Sequence, residues 1–213
     1  MKVSIIIPYD IDRGFLHESL KSCNNQYGFY LGIDYEVIQS QDDEPIGINI
    51  NRGVVKAKGE FIKICAEDDL LLPHCLYHLY KAATINALDF VCADALNFDS
   101  YTGKVIHTVK SKLPVTVGEL AFENTIHGGT CLYRKATMPK WTERYETAEE
   151  YDLALRMADA GLRFGYTPHL VYKYRIWSQN KSGSANREER HYDQRERIIQ
   201  KYYWSTKKVN IPH

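Results

Sequence analysis

Three acidic groups stand out as residues able to do chemistry: Asp10, the pair Asp42 and Asp43, and the run Glu67-Asp68-Asp69. Each follows a short apolar stretch. Adjacent carboxylates repel one another unless something positive joins them, and a hard divalent cation such as Mg²⁺ or Mn²⁺ takes oxygens from one or two carboxylates together with those of a bound phosphate. In an open α/β sheet, ligands bind in the crevice beyond the carboxyl ends of the strands. Together these facts point to a metal and diphosphate site. The plainer reading is that acidic residues populate turns and helix N-termini, where the dipole favours them. A fourth acidic group, Glu149-Glu150 with Asp152, opens a helical stretch.

Positioning these groups requires particular elements. Val3-Ser4-Ile5-Ile6-Ile7-Pro8 reads as a strand buried on both faces, as a parallel sheet demands. Residues 14 to 27 follow as a weakly amphipathic helix and Tyr35 to Ile38 as a second strand, which together make a right-handed βαβ unit. Glu60 to Cys65 is a third strand. Pro73 then opens a helix with Leu76, Tyr80, Ala83 and Ala87 on one face. Asp89 to Ala93 and Val105 to Val109 are further strands, and residues 110 to 145 carry no clear pattern. Thr147 to Ala160 is the most regular helix: Tyr151, Leu155, Ala158 and Leu162 share a face, Asp152 and Arg156 pair at i,i+4, and Gly161 caps the end. The densely charged stretch 186 to 201 is a solvated helix or a tail.

The chain has 213 residues, 44% of them hydrophobic and 25% charged, which suits one α/β domain and excludes a disordered or collagen-like chain. Twenty-seven basic and 27 acidic residues leave no net charge, so no basic field gathers nucleic acid. The five cysteines are scattered without a C-x-x-C pair, which predicts free buried thiols in a reducing compartment. No apolar run is long enough for a membrane span or a signal peptide, so the expectation is a soluble, cytoplasmic, unsecreted protein.

From residue 3 to about 182 the chain resembles the family 2 glycosyltransferases of the GT-A fold. That family's opening, V-S-I-I-I-P-x-Y-N, is similar to Val3 through Asp10, shortened by one residue, and its E-V-I-V-V-D-D-G-S is similar to Glu36 through Glu44. The segment N-x-G-x-x-x-A-x-G-E-Y-I matches Asn51-Arg52-Gly53, Ala57, and Gly59 through Ile62. L-D-x-D-D-x-x-x-P becomes Cys65 through Pro73, with Ala66 replacing the first Asp. E-D-x-x-L-x-x-R resembles Glu149 through Arg156, and Tyr172 through Ser182 looks like the family's closing loop, with Trp177 where a histidine is common. In overall look the chain is also similar to the glycosyltransferases that chlorella viruses encode for capsid glycans, which would place it in a host cytoplasm.

The resemblance implies an α/β, GT-A, Rossmann-like domain spanning 1 to 213 with a mostly parallel central sheet flanked by helices. Residues 1 to about 110 would form a nucleotide-sugar-binding half, 111 to 185 an acceptor and catalytic half, and 186 to 213 a charged helix or tail. Pro8, Tyr9 and Asp10 would line the uracil and ribose pocket, with Asp42 on the base. Asn51, Arg52, Gly53, Lys56 and Glu67 would serve the donor, with Arg52 or Lys56 as the cation meeting its diphosphate. Asp68 and Asp69 would hold Mn²⁺ or Mg²⁺. Glu150 would be the base that deprotonates an acceptor hydroxyl, with Glu149 and Asp152 as substitutes, although Thr147-Ala148-Glu149-Glu150 is also a capping box. The partners implied are a UDP-sugar donor and a glycan or glycoprotein acceptor, with inversion at the transferred sugar. A glycine-rich loop after Ile7, which a nucleotidyltransferase or dinucleotide-dependent oxidoreductase needs, is missing. The non-enzyme alternative is a degenerate domain that binds nucleotide sugar or glycan without transferring it.

Overall fold

The computed structural model describes residues 1–145, 148–180 and 185–212, with backbone alone over 185–192. The first unit is β1 (Val3–Tyr9), α1 (Leu16–Cys23) and β2 (Tyr35–Gln41), with β1 and β2 parallel from Val3↔Tyr35 to Tyr9↔Gln41. After α2 (Ile46–Lys56), β3 (Phe61–Ile64) pairs with the other edge of β1, also parallel. All seven residues of β1 are buried, because a strand between two parallel neighbours is covered by helices above and below.

The short β4 (Leu70–Leu71) and α3 (Cys75–Ile85) lead to β5 (Phe90–Asp99) and its hairpin partner β6 (Val105–Val109). Then follow α4 (Val117–Phe122), a 3₁₀ turn at Gly128–Thr130, β7 (Leu132–Arg134), α5 (Glu149–Asp159), β8 (Phe164–Ile176) and α6 (Ala185–Tyr202). The sheet order is β2-β1-β3-β7-β5-β8-β4, with β6 on β5. Strands β1, β2, β3, β5 and β8 run one way, while β7 lies antiparallel between β3 and β5, and β4 and β6 also run against their neighbours. The sheet is therefore mixed, and its parallel half is the half that carries the acidic turns.

Side chains of β1 alternate between two cores. Val3, Ile5 and Ile7 pack with Leu76, Leu79 and Ala83 of α3 and Cys23 of α1, whereas Ile6 joins Ile62 and Ala57 at the end of α2. A Cβ on Gly53 would stand 2.5 Å from Ile6 Cγ2, so Gly53 lets α2 lie directly on β1. A larger core packs α4, α5 and α6 around Trp141, Tyr133 and Phe164.

Several local expectations shift. Helix α1 covers only Leu16–Cys23 of the expected 14 to 27. Ala87 lies past the end of α3 with φ 47°, in the left-handed region, instead of on the helix face. The patternless stretch contains a true capping box: Thr116 accepts from Glu119 N at 3.1 Å while Glu119 Oε2 accepts from Thr116 N at 3.1 Å. The α5 N-cap is Ala148, which has no side-chain oxygen to cap with, so Glu150 is the second helical residue and not the third, where a capping box needs it. The Thr147 of the proposed box lies outside the described residues. Gly161 does follow α5 with φ 71°, and its N–H donates to Ala158 O at 3.0 Å. All five cysteines are free and buried.

Candidate active site

Because β1, β2 and β3 are parallel, the turns after them open at one edge of the sheet. A cleft of about 590 Å³ lies there, large enough for a small organic ligand. Pro8, Tyr9 and Asp10 line one end of it, Ala66, Glu67, Asp68 and Asp69 its floor, and Gly128, Gly129, Glu149 and Glu150 the far wall.

The floor is held from beneath. Asp69 is 3% exposed, and both its oxygens are engaged: Tyr172 Oη donates to Oδ2 at 2.8 Å and Arg175 N to Oδ1 at 2.7 Å. Burial, then the charge of Asp68, pushes its carboxyl well above the usual range. Asp68 accepts from Trp177 Nε1 at 2.9 Å, and its carbonyl accepts from Arg175 Nε at 2.6 Å. The Arg175 guanidinium is buried, bonded to Glu18 Oε2 at 2.5 Å and stacked over Phe15 and Phe98. Asn180 closes the loop by donating to Arg175 O at 2.9 Å and accepting from Trp177 N at 2.6 Å.

Arg13, which the sequence did not single out, is a cation that reaches two of the cleft's acids. It grips Asp10 through two bonds of 2.6 and 2.8 Å and reaches Glu67 Oε1 at 3.0 Å. The guanidinium holds the Asp10 carboxyl down at about 2. Glu67 is instead pushed up to about 7 by burial, then by Asp68, against the opposing pull of Arg13. Lys63 was also missed. It is fully buried in β3, and its Nζ donates to Gly129 O at 2.5 Å and Ile64 O at 2.9 Å, pinning the far wall to the sheet. A lysine inside the apolar run Phe61-Ile62-Lys63-Ile64 was the available signal. Its charge and, more strongly, burial hold the His127 imidazole down at about 4, so that ring is neutral.

On the far wall, Glu150 stands against Gly128, where a Cβ would come within 2.8 Å of Glu150 Cβ. Ala148 precedes it with φ 62°, a conformation costly for a residue with a side chain and concentrated at functional sites. Glu149 is buried at the same wall. Asp152 is not brought to the cleft: it pairs with Arg156 at 2.7 Å along α5.

The residues of α2 divide differently from their motif. Asn49 and Ile50 line the cleft, and Asn49 Nδ2 donates to Asp42 O at 2.8 Å and Tyr9 O at 3.3 Å. Asn51, Arg52, Gly53 and Lys56 lie outside its lining, as does the Asp42 side chain, which pairs with Arg52. Asn51 instead clamps Trp141, accepting from its N–H at 2.9 Å and donating to its carbonyl at 3.0 Å.

The acids fit a hard cation only as part of its shell. Each Asp69 oxygen already accepts one hydrogen bond and Asp68 Oδ2 accepts another, and among the described residues no group of three His, Cys, Asp or Glu side chains is placed to hold a metal ion. One or two carboxylates are what Mg²⁺ needs when substrate phosphates complete its sphere.

This architecture is the GT-A, Rossmann-like glycosyltransferase fold. The chain is similar in structure to S. aureus TarS, with a TM-score of 0.62 at 16% identity over 83% of this chain and 37% of that one. For TarS 1-349 in complex with UDP-GlcNAc the TM-score is 0.66 at 15% identity over 95% of this chain, and for its complex with UDP it is 0.64 at 17% over 93%. The chain spans between 37% and 71% of the length of these proteins. No family model and no curated protein matches it. Among the described residues no helix is long and apolar enough to cross a membrane.

Proposed function

We propose that this domain transfers a sugar from a nucleoside diphosphate sugar, with UDP as the nucleotide, to a hydroxyl of a glycan or glycoprotein acceptor. One observation carries the reading: Asp68, with Glu67 and Arg13, and Glu150 line a single cleft. TarS, of the same fold, is known in complex with UDP and UDP-GlcNAc, which supports a nucleotide-sugar donor here.

In this mechanism Pro8, Tyr9 and Asp10 cradle the nucleoside, with Asn49 tying the turns after β1 and β2 together. Arg13 faces the diphosphate and trades part of its grip on Asp10 and Glu67 for phosphate oxygens, a geometry that guanidinium matches well. Asp68, with Glu67, would hold Mn²⁺ or Mg²⁺, which supplies positive charge against the departing diphosphate. Asp69 positions rather than ligates, fixing the loop through Tyr172 and Arg175. Glu150 takes the proton of the acceptor hydroxyl as that oxygen attacks the anomeric carbon from the face opposite the diphosphate, which inverts it. A positioned base contributes typically 10²- to 10⁴-fold.

The test is UDP release from a panel of UDP-sugars, with Mn²⁺ or EDTA, alongside calorimetric UDP binding. Glu150→Gln is expected to lower release by about 10²-fold or more with UDP binding intact. Asp152→Asn is expected to change it by less than about threefold, since its partner is structural. A protein that binds no UDP, or a Glu150→Gln variant as active as wild type, overturns the assignment.

A further inference from the structure

A second pocket, of about 230 Å³, lies behind Glu150. It shares Asn124, Ile126, Gly128, Ala148 and Glu150 with the large cleft, so the two adjoin and Glu150 lines both. Phe90, Ile126 and Ala154 give it apolar walls, and Asn124, Tyr151 and Arg195 give it polar ones.

Arg195 comes from α6, the charged segment that the sequence assigns no role. Its guanidinium stands 6.0 Å from the Tyr151 ring centre, and its Nε is out of water with no hydrogen-bond partner. Its guanidinium also meets the Tyr151 hydroxyl, and Glu150 lines the same pocket. Leaving a buried donor unmade costs about 1–3 kcal/mol, so a planar fork beside an open cavity is suited to an acceptor that arrives with a ligand. The Tyr151 hydroxyl donates to Ala121 O and is met by the Arg195 guanidinium, so Tyr151 offers the pocket no further donor and Arg195 Nε is the unpartnered group.

We propose that this pocket is the acceptor subsite and that Arg195 recognises an acidic group, a carboxylate or a phosphate, on the acceptor. The inference rests on the transferase reading for the word acceptor, but the binding it predicts does not require turnover. The apolar walls take a sugar-ring face, Arg195 takes the anion, and a hydroxyl on the same unit is directed at Glu150. The volume is below the roughly 300 Å³ of ordinary ligand pockets, so one acidic sugar unit is the size that fits.

The experiment titrates wild type, Arg195→Gln and Arg195→Lys with methyl glucuronide, glucose 6-phosphate and methyl glucoside, following the backbone amides of Gly128 and Ala154 by NMR. Melting curves and UDP binding are measured on the same samples. At least one acidic probe is expected to move both amides at concentrations where methyl glucoside does not. Arg195→Gln is expected to weaken that probe about tenfold or more, and Arg195→Lys less, with UDP affinity unchanged. Which acidic probe binds names the group. Equal binding of methyl glucoside, an unaltered response in Arg195→Gln, or no response to either acid overturns the proposal. Loss of UDP binding by wild type would remove the transferase reading and leave the result for the acidic probes standing on its own.

Discussion

The indole of Trp177 donates its N–H to Asp68 Oδ2 at 2.9 Å, so the residue standing where a histidine is common in the related motif binds the floor carboxylate directly. Its ring also meets Phe15 edge to face at 5.0 Å. The indole thus holds one oxygen of the carboxylate assigned to the cation and fixes its rotamer. Trp177→Phe keeps the ring contact and removes the donor. It is expected to lower stability by about 1–2 kcal/mol and to reduce the Mn²⁺ concentration for half-maximal UDP release, because Asp68 is no longer shared. Release that is metal-independent in both proteins would remove the cation from Asp68.

Arg13 connects Asp10 and Glu67 across the mouth of the cleft. Arg13→Ala is expected to raise KM for the UDP-sugar about tenfold, equivalent to about 1.4 kcal/mol, with a smaller effect on kcat. Steady-state kinetics on wild type and variant check this. An unchanged KM would mean that the diphosphate is met elsewhere.

Gly128 is the surface against which Glu150 rests. A methyl there must displace the Glu150 side chain, so Gly128→Ala is expected to lower kcat by about 10- to 100-fold while UDP affinity holds. Gly53→Ala is the packing control. Its new Cβ meets buried Ile6, and overpacking of that kind costs about 1–3 kcal/mol, read from urea melts, without a selective loss of turnover.

The neutral His127 predicts a pH dependence of stability. Its folded value of about 4 lies below the ordinary 6.5, so between these values the unfolded chain binds the extra proton. The contribution is fully present above about pH 6.5, falls as the pH drops, and levels off below about 4, amounting to about 3 kcal/mol at most. Urea melts of wild type and His127→Gln across pH 4 to 7.5 should show a shallower decline in the variant. Parallel curves would mean that the imidazole binds its proton equally well in the folded and unfolded chains.

The parallel half of the fold was legible because its signals are local and one-dimensional. Val3–Tyr9 is a nearly continuous apolar run, buried along its whole length, and the acids beyond it, beyond Gln41 and beyond Ile64 fall at one edge once the strands are parallel. Glu150 and the floor acids were likewise readable as residue types at motif spacing. The insertion of antiparallel β7 between β3 and β5 was not, since three residues carry too little periodicity to fix a partner.

Which side of each element faces the ligand was decided only in three dimensions. One helical turn of α2 determines that Asn49 and Ile50 meet the cleft while Asn51 clamps Trp141 and Gly53 meets Ile6, although the motif lies on the latter pair. The cations show the same division: Arg13 and Arg175 lie 162 positions apart, from 13 to 175, and converge on the acids only through the sheet, while buried Lys63 reaches the Gly129 carbonyl 66 positions away. Sequence sets which groups exist and how strands and helices space them. Long-range packing sets which charges desolvate one another, and that interaction has no signature along the chain.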